Sequence, residues 1–162
     1  MKKILYLHGL DSFPTEEKLN ILKKFCDELT APLIDYRRPD LQSFLLETAQ
    51  NCGANILIGS SMGGLSAYIL AKYLGCKALL FNPAFIKMNN YAFALPTQIN
   101  ENYTYKVVLG ALDDVIDHQK SIDFLANNEK NNTYQYIILP KLAHRIDVET
   151  FENEIHNFIN EI

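Results

Sequence analysis

Asn55-Ile56-Leu57-Ile58-Gly59-Ser60-Ser61-Met62-Gly63-Gly64-Leu65-Ser66-Ala67-Tyr68-Ile69-Leu70-Ala71-Lys72-Tyr73-Leu74 is the stretch that decides the fold. Ile56-Leu57-Ile58 is apolar without alternation, as in a strand buried on both faces of a parallel sheet. Gly64–Leu74 is apolar almost all round and is followed by Gly75, the pattern of a buried helix closed by glycine. Between them lies Gly59-Ser60-Ser61-Met62-Gly63, a G-x-S-x-G pattern at a strand-to-helix turn. A serine at such a turn projects its hydroxyl above the sheet edge. The residues two before and two after it must be nearly free of side chain, a demand that Gly59 and Gly63 meet. The helix that follows aims unsatisfied N–H groups and the positive end of its dipole at the serine. Small residues at a turn also serve close packing alone, so the motif needs partners elsewhere in the chain. Neither a Gly-Lys-Ser/Thr phosphate loop nor G-x-G-x-x-G is present, which argues against nucleotide binding.

Outward from this stretch the chain alternates. Apolar runs of strand length occur at Ile4–Leu7, Pro32–Tyr36, Asn55–Gly59, Lys77–Phe81, Tyr105–Gly110 and Tyr134–Leu139. Helical patterns lie between them. Thr15 is placed to cap a helix with Glu16 and Glu17 in its first turn. Asp40 is placed to cap another, with Leu41, Phe44, Leu45 and Thr48 on one face and Gly53 near its end. Asp117–Asn128 reads as a helix. Asp147 is placed to cap the last, striped by Phe151, Ile155, Phe158 and Ile162. Six strands in βα alternation predict a three-layer α/β sandwich, a six-stranded parallel sheet with helices on both faces. Residues 83–102 carry Phe85, Met88, Tyr91 and Phe93 without a clear period. They read as a short lid-like segment whose aromatics are candidate walls of a substrate pocket.

Composition narrows the function classes. The 162 residues are 48% hydrophobic and 21% charged, with net charge −4. One domain spanning 1–162 is expected, with no basic footprint for nucleic acid and no apolar run long enough to span a membrane. The apolar run after Met1-Lys2-Lys3 stops at His8-Gly9, too early for a signal peptide. Cys26, Cys52 and Cys76 are odd in number, widely spaced and without metal spacing, which predicts a reducing, cytoplasmic compartment and no metal.

A serine nucleophile needs a base, and the base an orienting carboxylate, in the chain order serine, acid, histidine. Of the histidines after Ser61, His118 and His156 fall in predicted helices. His144 follows the last apolar run and precedes the last helix, on the sheet edge where ligands bind in open α/β sheets. Asp113 is the first carboxylate after the Tyr105–Gly110 run; Asp114 is its rival, and Asp117 is assigned to helix capping. The turn His8-Gly9-Leu10 after the first strand can offer the Leu10 N–H which, with that of Met62, would make a two-donor oxyanion hole. His8 is expected to fix this loop.

Leu5-Tyr6-Leu7-His8-Gly9, Ser12-Phe13-Pro14, Lys18, Gly59-Ser60-Ser61-Met62-Gly63, Asn82-Pro83-Ala84, Asp113-Asp114-Val115-Ile116-Asp117 and His144, in that order, resemble the α/β-hydrolases, and most closely the bacterial YqiA/YcfP-type (UPF0227) esterase group. The resemblance covers essentially the whole chain. It implies a triad of Ser61, Asp113 and His144, with Leu10 and Met62 donating to the oxyanion. Two departures stand out: Lys141-Leu142-Ala143 precedes His144 where a glycine is usual, and Ala111-Leu112 separates Gly110 from Asp113. The chain starts directly at the His-Gly strand, so an all-parallel sheet is expected.

The function expected is hydrolysis of short-acyl esters or thioesters, small molecules, through an acyl-enzyme and without a cofactor. The alternatives are an amidase, lactonase or C–C hydrolase on the same three residues, or a binding protein that uses the fold without catalysis.

Overall fold

The computed structural model describes residues 1–162. The strands are β1 (Lys3–Leu7), β2 (Glu28–Thr30), β3 (Ile56–Ser60), β4 (Lys77–Phe81), β5 (Thr104–Gly110) and β6 (Tyr134–Leu139). The helices are α1 (Glu16–Lys23), α2 (Leu41–Cys52), α3 (Met62–Leu74), α4 (His118–Asn128) and α5 (Val148–Glu161), with a 3₁₀ helix at Phe85–Asn90. The six strands form one parallel sheet in the order β2-β1-β3-β4-β5-β6.

Side-chain alternation along the strands builds two cores. Ile4, Tyr6, Ile58, Leu79 and Phe81 face Ile21 and Leu22 of α1 and Phe151, Ile155, Phe158 and Ile159 of α5. Leu5, Leu7, Leu57, Leu80 and Val107 face Leu41 and Leu45 of α2, Leu65–Ala71 of α3 and Leu125 of α4. The result is the three-layer sandwich with helices on both faces. Thr15, Asp117 and Asp147 each accept a hydrogen bond from the first turn of the helix they precede. No helix is long and apolar enough to cross a membrane.

Three expectations are corrected. The second strand is Glu28–Thr30, not Pro32–Tyr36. Pro32 has no N–H to give a ladder, and the Ile34 N–H donates instead to His8 Nε2 at 2.8 Å. Ile34 and Tyr36 are buried from a loop. Asp40 occupies the position before α2 but caps nothing, because its carboxylate is held by Arg38 at 2.6 and 2.7 Å. Ile162 lies past the end of α5 and is exposed; Ile159 takes its place in the stripe.

Candidate active site

The order of the sheet places the site. The chain leaves β1 toward one edge, at β2, and toward the other from β3 onward, so the crevice beyond the C-terminal ends of β1 and β3 is a topological switch point. The loop after β1 and the turn after β3 meet there. Together with the start of α1 and the segment His144–Val148 they line a cleft of about 770 Å³ that contains Gly9, Leu10, Ser61, His144, Lys18 and Arg145.

Ser61 sits between β3 and α3 with φ 54° and ψ −115°, a sparsely populated conformation for a residue with a side chain. The turn is held on both sides: the Ser61 N–H donates to the Phe81 carbonyl at 2.9 Å, and its carbonyl accepts from Ala84 N–H at 3.0 Å. The glycines are required for space. A Cβ on Gly59 would overlap the Gly63 carbonyl. One on Gly63 would overlap the Leu7 carbonyl oxygen and lie 2.5 Å from that of His8. Gly63→Ala is therefore expected to cost about 3 kcal/mol or more, a fall in Tm of roughly 6–12 °C. Gly9→Ala, whose Cβ would meet nothing closer than 3.6 Å, should change Tm little. Thermal unfolding of the two variants checks this; equal Tm values would contradict it.

Asp113 and His144 meet across the C-terminal ends of β5 and β6. His144 Nδ1 is 2.8 Å from Asp113 Oδ2, with the carboxylate fully buried and the imidazole one quarter exposed. The other carboxylate oxygen accepts from the N–H groups of Val115 and Ile116, both at 2.8 Å. These two hydrogen bonds fix the carboxylate's orientation and leave Oδ2 for the ring. Asp114 is exposed. The two departures noted in the sequence lie against each other, with Leu112 N–H donating to the Leu142 carbonyl at 3.0 Å, and the Asp113–His144 contact forms across them. Ser61 and His144 line one cleft, although no hydrogen bond joins the hydroxyl to the ring; such contacts are commonly looser before substrate arrives.

The amide of Met62 opens α3 and has no partner within the helix. The Leu10 N–H finds no backbone acceptor. Both loops are pinned. His8 is 1% exposed; its Nδ1 lies 2.7 Å from the Gly9 carbonyl and its Nε2 accepts from Ile34 N–H. That pattern fits a neutral ring protonated on Nδ1, and burial lowers its pKa. Tyr36 donates its hydroxyl to the His8 carbonyl. On the cleft floor, burial pushes the Tyr6 phenol up to about 12, with a smaller opposing effect from Ser60, so it stays protonated.

Sequence reasoning assigned no role to Asn82. Its side chain is buried and links three segments: Oδ1 accepts from Gly110 N–H at 2.7 Å, while Nδ2 donates to the carbonyls of Ala143 at 2.9 Å and His144 at 3.2 Å. Its φ of 41° suits asparagine better than most residues. Asn82→Ala should strand these groups and lower stability by about 1–3 kcal/mol; an unchanged unfolding midpoint in urea would contradict this role.

The pocket aromatics lie elsewhere. Phe85 and Phe93 are 1% exposed. Phe85 stacks on Phe124 of α4 at 4.4 Å, Phe93 stacks on Tyr73 of α3 at 5.6 Å, and Tyr91 bonds Ser66 of α3. Met88 packs against the same core. Residues 83–102 thus cover α3 and α4, and none of the four lines the cleft. Its walls are the starts of α1 and α5, on the other face of the sheet. His118 and His156 lie outside the cleft as well.

The family model described as Uncharacterised protein family (UPF0227) matches residues 3–160. The chain belongs to UPF0227. Among curated proteins no sequence matches it. Solved structures resemble this UPF0227 chain over its whole length. A protein of the alpha/beta hydrolase superfamily from Xanthomonas campestris pv. campestris shares 17% identity and a TM-score of 0.72, covering 100% of both chains. The S-formylglutathione hydrolase of Staphylococcus aureus shares 19% identity and a TM-score of 0.70, covering 99% of this chain and 80% of its own. A carboxylesterase of Bacillus cereus shares 16% identity and a TM-score of 0.65, covering 99% and 88%. At these identities the likeness shows the α/β-hydrolase fold.

Proposed function

We propose that this UPF0227 protein is a serine hydrolase that cleaves short-acyl carboxylic esters or thioesters through an acyl-enzyme. The observation that carries the reading is the 2.8 Å pair of a buried Asp113 and His144, at a cleft that also holds Ser61 on its strained turn. His144 takes the Ser61 proton as Oγ attacks the acyl carbonyl. Asp113 keeps the ring's Nδ1 protonated and stabilises the imidazolium. The Leu10 and Met62 N–H groups receive the tetrahedral oxyanion, and one such donor is worth about 10²–10³ in turnover. Collapse of the intermediate breaks the ester bond, His144 gives its proton to the leaving alcohol or thiol, and water repeats the cycle to release the acid. The same geometry would serve an amidase or a lactonase; no feature of the cleft favours them.

The cleft is open and carries an apolar rim at Leu10, Phe13 and Val148, each at least 39% exposed. No deep tunnel follows from it, so short acyl groups are expected to be preferred. A para-nitrophenyl ester series should give its highest kcat/KM at butanoate or shorter. A maximum at dodecanoate or longer would contradict the preference, and absence of hydrolysis across the series would overturn the hydrolase reading itself.

A further inference from the structure

Lys18, in the first turn of α1, lines the cleft together with Ser61, and it has no anionic partner. The three other lysines that are not fully exposed each have one: Lys3 with Glu28 at 3.0 Å, Lys72 with Glu129 at 2.6 Å, and Lys106 with Glu161 at 3.0 Å. Lys18 Nζ instead lies 4.9 Å from the centre of the Phe151 ring. Across the cleft is Arg145, the residue after His144, also without an ion pair. Of the three carboxylates on the same walls two are committed elsewhere, and the third, Glu17, pairs with neither cation. Asp11 is held by Arg37 through two hydrogen bonds, of 2.6 and 2.8 Å. Asp147 accepts from Thr150 N–H and Oγ1, both at 2.8 Å. Glu17 is exposed. A half-buried ammonium facing a second cation is an unfavourable arrangement in the free protein. Burial and the charge of Arg145 lower the pKa of Lys18, against a smaller opposing effect of Asp147. An anion between the two cations would relieve both costs.

We infer that the substrate carries an anionic oxygen group, a carboxylate or a phosphate, that docks between Lys18 and Arg145 while its ester carbonyl lies at Ser61. The inference rests on the hydrolase reading for the ester and on the two unpaired cations for the anion. A charge-assisted contact of this kind is worth about 10- to 100-fold in kcat/KM.

The test pairs charged and neutral esters on the full chain. Para-nitrophenyl hemiglutarate is compared with para-nitrophenyl hexanoate, which places the charge on the acyl side. Butanoyloxybenzoate and butanoyloxyphenyl phosphate are compared with phenyl butanoate, which places it on the alcohol side and separates carboxylate from phosphate. At least one charged-to-neutral ratio of kcat/KM should fall about 10-fold or more in Lys18→Met and in Arg145→Gln, and stay within a few-fold of wild type in Lys18→Arg. Calorimetric titration with glutarate, benzoate and phenyl phosphate on wild type and Lys18→Met reads the anion site without catalysis. Ratios that do not change in either variant overturn the inference. If no ester turns over but Lys18→Met loses binding of one of these anions, the hydrolase reading fails and the anion site stands. If none of them binds and no ratio moves, the anion site is refuted.

Discussion

Ser61→Ala is expected to lower kcat toward a short-chain ester by about 10⁶-fold with the fold intact. The substitution removes one oxygen from a half-buried side chain, and alanine meets the same backbone strain at φ 54° that serine does. Without Oγ no acyl-enzyme forms. What remains is attack by water assisted by the Leu10 and Met62 amides and by substrate binding, worth about 10³–10⁴ over the uncatalysed reaction. Steady-state kinetics on enzyme freed of contaminating esterase, with Tm measured beside it, checks this. A variant within 100-fold of wild type would show that Ser61 is not the nucleophile.

Asp113→Asn is expected to cost about 10⁴-fold in kcat by a different route. Oδ1 of Asp113 is committed to the N–H groups of Val115 and Ile116. The asparagine carbonyl must keep those two donors, which turns its NH₂ toward His144 Nδ1. That nitrogen then has to accept rather than donate, so the proton moves to Nε2, where it blocks uptake of the serine proton. The loss should appear in kcat more than in KM, and it should ease at high pH, where hydroxide substitutes for the missing base. A loss under tenfold would place the working carboxylate elsewhere. Asp114, exposed and outside this network, would be the next residue to vary.

The parts of the molecule that were legible are those where a local physical demand leaves few solutions. The turn at Gly59–Gly63 tolerates no Cβ at its flanks, and it stands where the spacing predicted it. Asp113 and His144 each follow a strand at the same sheet edge, so parallel topology alone brings them together. Thr15, Asp117 and Asp147 cap as read, and neither carboxylate is drawn into an ion pair. Asp40 does not cap, because Arg38, two residues away, binds its carboxylate bidentately. Glu28–Thr30 was hidden because a short edge strand, half exposed, has no need of an apolar run. Pro32–Tyr36 has the apolar content of a strand because Ile34 and Tyr36 are buried around His8, but they are buried from a loop. The aromatics of residues 83–102 were misplaced for a similar reason: their apolar character serves a core that the sheet's other helical layer already occupies. The cleft walls and the Asn82 bridge depend on which loops meet at the switch point, and that is long-range geometry.

In the proposed mechanism Ser61 becomes acylated with His144 as its base. Incubation with a fluorophosphonate, followed by peptide mapping by mass spectrometry, tests it most directly. One adduct is expected, on Ser61, absent in Ser61→Ala and formed far more slowly in His144→Ala. A folded wild-type protein that takes up no label, or takes it up at another residue, would contradict it.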